Sequence, residues 1–581
     1  MREYDFKEAI KSTFDNQEDV RALDVSRAGF VRMVMEDMLY VDKSLLIADL
    51  LKRGANSVML YTRPRRFGKT TNLSMLEEFF DIRKKGTRCF DGLAISEPEF
   101  SRYDVHKNAY NVIRMDLKDV KSSGNEGIIE SIGFVMSRVY RDFHEQIDWD
   151  SINPADAELY NRLLFRKADE IEIRHSALIL SEILYRQNGK RTVFLIDEYD
   201  APVTNCLGKG SYEAALDQLS SFLSATLKSN RYLEMAVLTG ITQISKETMF
   251  SKLNNVIVNS IVEEMSDERF GFTEAEVRAI LEEAEHPEKF PEVKEWYDGY
   301  RFGNAEVYNP YSIINYVLRG CKEPQPFWIN TSTDMLLHRL LTKLSEDNVT
   351  KLTRLVTGNS IVERMDMHMT SDNVTGSEES VFSLMTATGY LNARRIENDL
   401  FELSVPNKEV MQALRKIVKG IMASDDGSYG RFCKAVIEND AETMRDILEG
   451  ILLDKSMFHL HHENSYGLVL TMVLDEVSGQ YDIAYEEEED GNGRSDIVLR
   501  SKASDRPNIV FVLKRVNDEK DLVTGADAAL EQIHDRRYYA GMTGDVVLIG
   551  VSFWKKFPYV ASEVINMERD WERLRPNARS G

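Results

Sequence analysis

The stretch "NSVMLYTRPRRFGKTTNLSMLEEFFD" (56–81) constrains the fold of this chain more than any other. The apolar run at 56–61 reads as a short strand, and "TNLSMLEEFFD" carries apolar residues at helical spacing, so the loop between them joins a strand end to a helix start. A phosphate-binding loop needs that order: backbone N–H groups aimed at the anion, a helix N-terminus behind them, and a lysine for the outer phosphates. Gly68 permits close backbone approach, Lys69 would contact the β- and γ-phosphates, and Thr70 would place its hydroxyl on Mg²⁺. The glycine expected five residues before Gly68 is Arg63, and Pro64, Arg65 and Arg66 follow it. Taken alone, the loop is also readable as a basic turn ahead of a helix.

A second stretch decides between the two. "RTVFLIDEYD" (191–200) is a near-continuous apolar run closed by acids, the pattern of a strand buried on both faces of a parallel sheet. Asp197 stands where a metal-holding carboxylate belongs and Glu198 where a general base belongs. A strand followed by a loop ending in Gly-Lys-Thr and a second strand ending in Asp-Glu together describe a nucleotide site. "AYNVIRMDL" (109–117) and "YLEMAVLTGI" (232–241) are further strand candidates, and their alternation with helical stretches predicts a parallel α/β sheet across roughly 30–255.

At 581 residues the chain is too long for one core, and roughly 150 residues per domain suggests three or four. A hydrophobic fraction of 43% and a charged fraction of 29% describe a globular protein. The formal charge of −23 disfavours diffuse binding to a phosphate backbone, yet leaves room for a local basic channel, because charges are screened beyond about 8 Å. The four cysteines (Cys89, Cys206, Cys321, Cys433) lie far apart without a CxxC pair, which argues against a disulfide or zinc framework. The charged N-terminus lacks a signal-peptide core, and the longest apolar run, "YGLVLTMVL" (466–474), is far short of the roughly 20 residues that span a bilayer. A cytoplasmic location with no membrane partner is expected.

"RPRRFGKT", "YVDKSLL" (40–46), "LIDEYDAPV" (195–203), "FGFTEAEV" (270–277) and "WYDGYRFG" with "VYNPYS" (296–312) together resemble the AAA-ATPase-like family of bacteria and archaea, over most of residues 25–340. The resemblance implies ATP and Mg²⁺ on a P-loop NTPase sheet of the AAA/ASCE type, followed by a small lid. Arg65, Arg66, Phe67, Gly68, Lys69, Thr70, Thr71 and Asp197 would then bind nucleotide, with Thr70 and Asp197 on Mg²⁺ and Lys69 and Glu198 catalytic. Arg63, Arg65 and Arg66 either neutralise phosphates, reach a neighbouring protomer, or are loop structure. Thr239 or Thr242 matches a sensor position at the end of the fourth strand. Asp42-Lys43 and the aromatic residues Trp296, Tyr297 and Tyr300 are read as packing and local hydrogen bonding.

The C-terminal part reads as helix (463–474), strands in "YDIAYEEEEDGNGRSDIVLRS" and "NIVFVLKRV", helix "GADAALEQIHDRRYYAG" and strand "DVVLIGVSF". Over about 455–555 this resembles the PD-(D/E)xK nuclease superfamily, a restriction-endonuclease-like α/β fold. Such a site gathers Mg²⁺ with acids beside the scissile phosphate and adds a lysine. Glu463 takes the helical acid position, Asp496 the strand acid, Lys514 the lysine, and Gln532 with Tyr538 the supporting helix. The residue two before the lysine should be an acid and is Val512, which cannot coordinate a hard cation. The "EEEED" run (486–490) reads as a solvated hairpin turn, and His459, His461 and His462 as surface or packing histidines.

The expected organisation is an N-terminal helical extension (1–28), a P-loop ATPase core (29–260), a lid region (261–340), a helical middle region (341–454) and a nuclease-like domain (455–581). The leading functional expectation is an ATP-binding and ATP-hydrolysing protein whose nuclease-like domain is impaired at Val512. Its partners would be ATP, DNA through the C-terminal domain, and further copies of itself. An active ATP-regulated, Mg²⁺-dependent DNA nuclease and a nucleotide-switch scaffold without a nucleic-acid role are the alternatives.

Overall fold

The structure is a computed structural model that describes residues 29–36, 38–122, 127–206, 210–228, 230–244, 256–328, 341, 344–365, 368–369, 380–422, 427–453, 463–487 and 495–570. The chain divides into two compact units, Met1–Asn330 with Val362–Val410, and Thr331–Ile361 with Met411–Gly581.

In the first unit, α1 (Leu45–Leu51) precedes β1 (Ser57–Thr62), and α2 (Lys69–Phe80) follows the loop. Then come β2 (Asn111–Asp116), α3 (Ile129–Phe143), α4 (Glu170–Asn188), β3 (Thr192–Asp197), α5 (Tyr212–Leu227), β4 (Leu233–Gly240) and β5 (Val256–Asn259). The five strands form one sheet in the order β2-β3-β4-β1-β5, and every pairing is parallel. All six residues of β3 are buried, which is why its sequence is a continuous apolar run rather than an alternating one. Helix α4 starts where Asp169 and Glu172 form a reciprocal capping box, satisfying two otherwise orphaned backbone donors. Because β4 lies between β1 and β3, the C-terminal ends of these three strands converge on one edge, where ligands of open parallel sheets bind.

A smaller apolar core follows, built by α6 (Glu274–Glu283), α7 (Phe290–Tyr297), the hairpin β6 (Tyr300–Phe302) and β7 (Ala305–Val307), and α8 (Pro310–Leu318). Val277, Ile280, Val293, Tyr297 and Ile313 are fully buried there, with Leu39 and Val41 of "LYVDK" packed into the same cluster. Beyond it, β8 (Ile361–Arg364), α9 (Ser380–Thr388), β9 (Asn392–Glu397) and β10 (Leu400–Ser404) precede α10 (Lys408–Met422). The middle stretch is therefore not purely helical: β8, β9 and β10 form a three-stranded sheet. The sequence carries part of the reason: "LFELS" alternates, with Phe401 and Leu403 as the buried positions of β10, and Asn398, whose φ is 41°, turns the chain between β9 and β10.

The second unit contains α11 (Ser428–Glu438), α12 (Ala441–Leu453), α13 (Glu463–Leu474), β11 (Tyr481–Glu487), β12 (Ser495–Ser501), β13 (Asn508–Arg515), α14 (Leu522–Arg536), β14 (Asp545–Trp554) and β15 (Phe557–Asn566). Its sheet runs β11-β12-β13-β14-β15, antiparallel except for the parallel pair β13–β14 that α14 connects. This is the expected helix, three strands, helix, strand order with one further strand. Gly550 lets α14 lie directly on the sheet, since a Cβ there would come within 2.3 Å of the Ala526 carbonyl oxygen.

Candidate functional site

The "RPRRFGKT" loop leaves β1 and turns into α2 through Gly68, whose φ of 81° favours a residue without a Cβ. Most of the loop's side chains are committed to the protein itself. Arg63 is fully buried, donates to the carbonyls of Thr62 (2.9 Å) and Asn259 (2.8 Å) and to the Asn259 side chain, and lies between the rings of Phe270 and Phe302. Burial pulls its guanidinium down to about 10. Phe67 is likewise fully buried, against Tyr300 and Phe302 of the hairpin. Such a ring stabilises the loop by roughly 1.5–3 kcal/mol. Arg66 stacks on Tyr311 at 3.9 Å and donates to the Phe327 carbonyl (2.8 Å). Of the three arginine readings, loop structure describes Arg63 and Arg66. Arg65 is half-buried, and its charge acts on Glu198.

Lys69 is 5% exposed, and its Nζ donates to the carbonyls of Arg63 (2.9 Å) and Pro64 (3.0 Å), the loop it closes. Thr70 is exposed and Thr71 half-buried in the first turn of α2. The Thr70 hydroxyl donates to Asp197 Oδ2 at 2.7 Å, across the gap between β1 and β3. Thr239, on the intervening β4, donates to the other oxygen, Oδ1, at 2.5 Å, and the Glu198 N–H reaches the same oxygen at 3.1 Å. Thus Asp197, 1% exposed, is held by donors from three parts of the fold, as a buried carboxylate requires. Of the two sensor candidates, Thr239 enters this network. Thr242 instead donates, by N–H and hydroxyl, to Asp200 Oδ2 (2.7 and 2.6 Å) and fixes the turn after β4.

Glu198 has φ 51°, an unusual conformation for a non-glycine residue and one found at functional sites. Its carboxyl is raised, first by burial, then opposed by Lys69 and supported by Asp200 and Asp197. On β2, Asp116 pairs in register with Asp197 and is raised by burial, adding an acid from a second strand at the same edge. Asp116 and Asp200 were not singled out in the sequence, although both close apolar strand-like runs.

The remaining motifs brace the site. Lys43 is 7% exposed and binds Glu276 (2.6 Å) and the Glu268 carbonyl (2.9 Å), while Glu276 also caps α6 with Thr273. Asp42 accepts from the Ser44 and Ala94 N–H groups, both at 2.7 Å. Asn72 of α2 donates to the Arg269 carbonyl (2.9 Å), so the first turns of α2 are tied to the segment entering α6. Packing and local bonding account for Tyr297 and Tyr300 as well: the Tyr297 hydroxyl donates to the Gln325 carbonyl (3.0 Å), and Tyr300 lies under Phe67.

In the second unit, the register sets Asp496 of β12 directly opposite Val512 of β13, with Glu486 of β11 opposite Asp496. The backbone positions of Glu463, Glu486 and Asp496 are described and their side chains are not; His459, His461, His462 and 488–490 lie outside the described residues. Val512 is fully buried among Val498, Val510, Ala529 and Ile533. Leu513, on the opposite face, is also fully buried, so both faces of the sheet are covered at this point. Lys514, two residues on, is half-buried and pairs in register with Ser552. Gln532 is 8% exposed on α14 and donates to the Tyr538 hydroxyl at 3.4 Å. Among the described residues, no group of three or more His, Cys, Asp or Glu is arranged to hold a metal. Nor is any described helix long and apolar enough to cross a membrane. All four cysteines are buried and unpaired.

Residues 25–250 match the family model for predicted AAA-ATPases, and residues 461–561 that of the PD-(D/E)XK nuclease superfamily. An uncharacterized protein in the vnfD 5' region of Azotobacter chroococcum mcd 1 is 26% identical over 394 residues, an alignment that spans 66% of this chain and 66% of that relative's own length. The Aeropyrum pernix ORC2 protein, solved as ADPNP–ADP complexes, is 12% identical, with a TM-score of 0.34 over 68% of this chain and 95% of that one. The matched families fit the two sheets just described, and this chain is a fusion of an AAA-ATPase-like domain with a PD-(D/E)XK nuclease superfamily domain.

Proposed function

We propose that the N-terminal domain binds ATP with Mg²⁺ and hydrolyses it, and that the C-terminal domain is a nuclease fold whose cleavage is impaired at Val512. The observation that carries the first part is the convergence of Thr70, Thr239 and the Glu198 N–H on Asp197, beside Lys69. A hydroxyl and a carboxylate from adjacent elements are the hard oxygen donors that Mg²⁺ takes when phosphates complete its shell. Bound there, the ion would neutralise charge on the outer phosphates. Lys69 would exchange the loop carbonyls for phosphate oxygens, Thr239 would keep Asp197 oriented, and Glu198 would take the proton of the attacking water. Lys69→Ala is expected to abolish binding of a fluorescent ATP analogue, and wild-type affinity in that variant refutes the site.

The second part rests on Val512, an apolar side chain in an apolar cluster where a metal ligand belongs. A domain of this kind is left with DNA binding or a regulatory platform as its role. The reading as an active DNA nuclease requires another acid to fill the position, with Glu486 the nearest by register. Self-association on ATP completes the proposal.

A further inference from the structure

Arg66 stands in the phosphate loop at φ 68°, a left-handed conformation that disfavours a side chain and persists only where neighbours hold it. Two segments do so. The Phe327 carbonyl accepts from its guanidinium at 2.8 Å, and the Tyr311 ring lies under it at 3.9 Å. Both segments meet again on a single carboxylate, that of Glu409 at the start of α10. Trp328, next to Phe327, donates its N–H to Glu409 Oε1 at 2.7 Å, and Ser312, next to Tyr311, donates its hydroxyl to Oε2 at 2.7 Å. Glu409 is fully buried. A buried carboxylate that closes both arms of a clamp has a role beyond packing, since an apolar residue would fill the space at lower cost.

Resting on the ATP-binding reading above, we propose that Glu409 is a positioning residue for the phosphate loop: its ionised carboxylate aligns the Phe327–Trp328 and Tyr311–Ser312 segments that hold Arg66, and protonation loosens them and weakens nucleotide binding. The groups facing it are Arg66 from the loop, Tyr297 of α7 and Tyr300 of β6, Ser312, and the backbone N–H groups of Phe327 and Trp328. Its neighbour Lys408 is engaged at the surface with Glu295. Burial pushes the Glu409 carboxyl up to about 7, against the Trp328 and Ser312 hydrogen bonds and the Arg66 charge, so the change falls near neutrality. Above that pH both oxygens accept. Below it one oxygen carries a proton, and the attraction to Arg66 is lost.

The sign for stability is opposite to that for binding. The unfolded chain releases this proton near pH 4.5, whereas the folded chain keeps it to about 7, so folded stability falls as pH rises through that window. Glu409→Gln keeps an acceptor and a donor in the same shape but cannot ionise. This variant should melt higher than wild type at pH 8.5 and nearly with it at pH 5, while binding nucleotide less well at the higher pH.

The test is the affinity of the full chain for a fluorescent ATP analogue with Mg²⁺, from pH 6 to 8.5, in wild type, Glu409→Gln, Arg66→Gln and the double variant. Comparison with Glu409→Gln removes the titration of the nucleotide itself. The ratio of the two dissociation constants should be near one at pH 6 and rise to roughly fivefold or more at pH 8.5, the low end of coupling between linked sites. In the Arg66→Gln background, Glu409→Gln should have no further effect. A ratio that is flat with pH, or an equal loss in both backgrounds, overturns the positioning role while leaving the ATP site standing. Absence of nucleotide binding by wild type at every pH overturns the ATP site and this role with it.

Discussion

Asp197 in the N-terminal sheet and Val512 in the C-terminal sheet are both buried strand residues, at the two positions where the sequence resemblances lead one to expect a metal-binding acid. They have opposite chemistry. Asp197 is 1% exposed and is reached by two hydroxyls and a backbone N–H. Val512 is fully buried among valines, an alanine and an isoleucine. The difference shows what a buried acid needs. Desolvating a carboxylate costs several kcal/mol, and the site is kept only where polar groups converge to repay it. In the first sheet, β4 brings Thr239 between the loop and the acid. In the second, Val512 belongs to an apolar cluster to which α14 contributes Ala529 and Ile533.

The sharpest way to test that contrast is at Glu198. Replacement by Gln preserves shape and should preserve ATP binding, while removing the base should cost about 10²–10⁴ in kcat. Asp496→Ala, in the other sheet, should leave ATP turnover unchanged. Hydrolysis by Glu198→Gln at the wild-type rate, measured as phosphate release, would show that the two acids at the end of β3 do not divide the work as proposed.

The next largest effect is expected at Val512. Strand alternation suggests that an acid could be accommodated beside Lys514. The structure argues for a steeper cost, because the side chain points into an apolar cluster under α14. Val512→Glu should destabilise the C-terminal unit by about 3 kcal/mol, the scale of an uncompensated buried charge. If Asp496, directly opposite in register, completes a metal site with the new acid, Mg²⁺ should recover part of that loss and cleavage of a plasmid should appear. A melting temperature indifferent to both substitution and Mg²⁺ would mean that position 512 is not buried as described. Strong Mg²⁺-dependent cleavage by the unmodified chain, lost in Asp496→Ala, would instead reverse the contrast and place an acid from elsewhere in the gap.

How far each region was legible follows the same physics. The loop, its lysine and the acids ending β3 were readable because each is a local pattern: a strand, a turn and a helix start, or an apolar run closed by Asp-Glu. The parallel strands of the first sheet were readable for the same reason. Arg63 was not, since its role depends on Asn259 and Phe302, far along the chain and unmarked by any spacing. Glu409 sits at the head of "KEVMQALRK", where an acid in the first turn is ordinary helix chemistry; only the fold reveals that it faces inward to Ser312 and Trp328. The β9–β10 hairpin was hidden between helical segments, since only β10 alternates and β9 is largely exposed. Val512 was readable as a departure from the nuclease pattern, but its apolar surroundings come from α14 packing over Gly550, which a sequence pattern cannot show.

The smallest effect expected is at Thr239. The sequence left Thr239 and Thr242 equivalent, and the structure separates them by their acceptors: Asp197 for the first and Asp200 for the second. Thr239→Val keeps the branched shape on β4 and removes one donor from Asp197, which retains Thr70 and the Glu198 N–H. One hydrogen bond to a charged group is worth about 1.5 kcal/mol at the low end, so a loss of that order in stability is expected, and about tenfold in kcat if Asp197 orientation limits turnover. Thr242→Val removes a donor from Asp200, which keeps the Ile241 and Thr242 N–H groups, and should lose similar stability with a smaller change in turnover. Measured side by side, the two variants isolate geometry at the acid from packing at the strand end. Equal losses of turnover at equal losses of stability would reduce Thr239 to a structural residue, and the orientation of Asp197 would then rest on Thr70 and the Glu198 N–H.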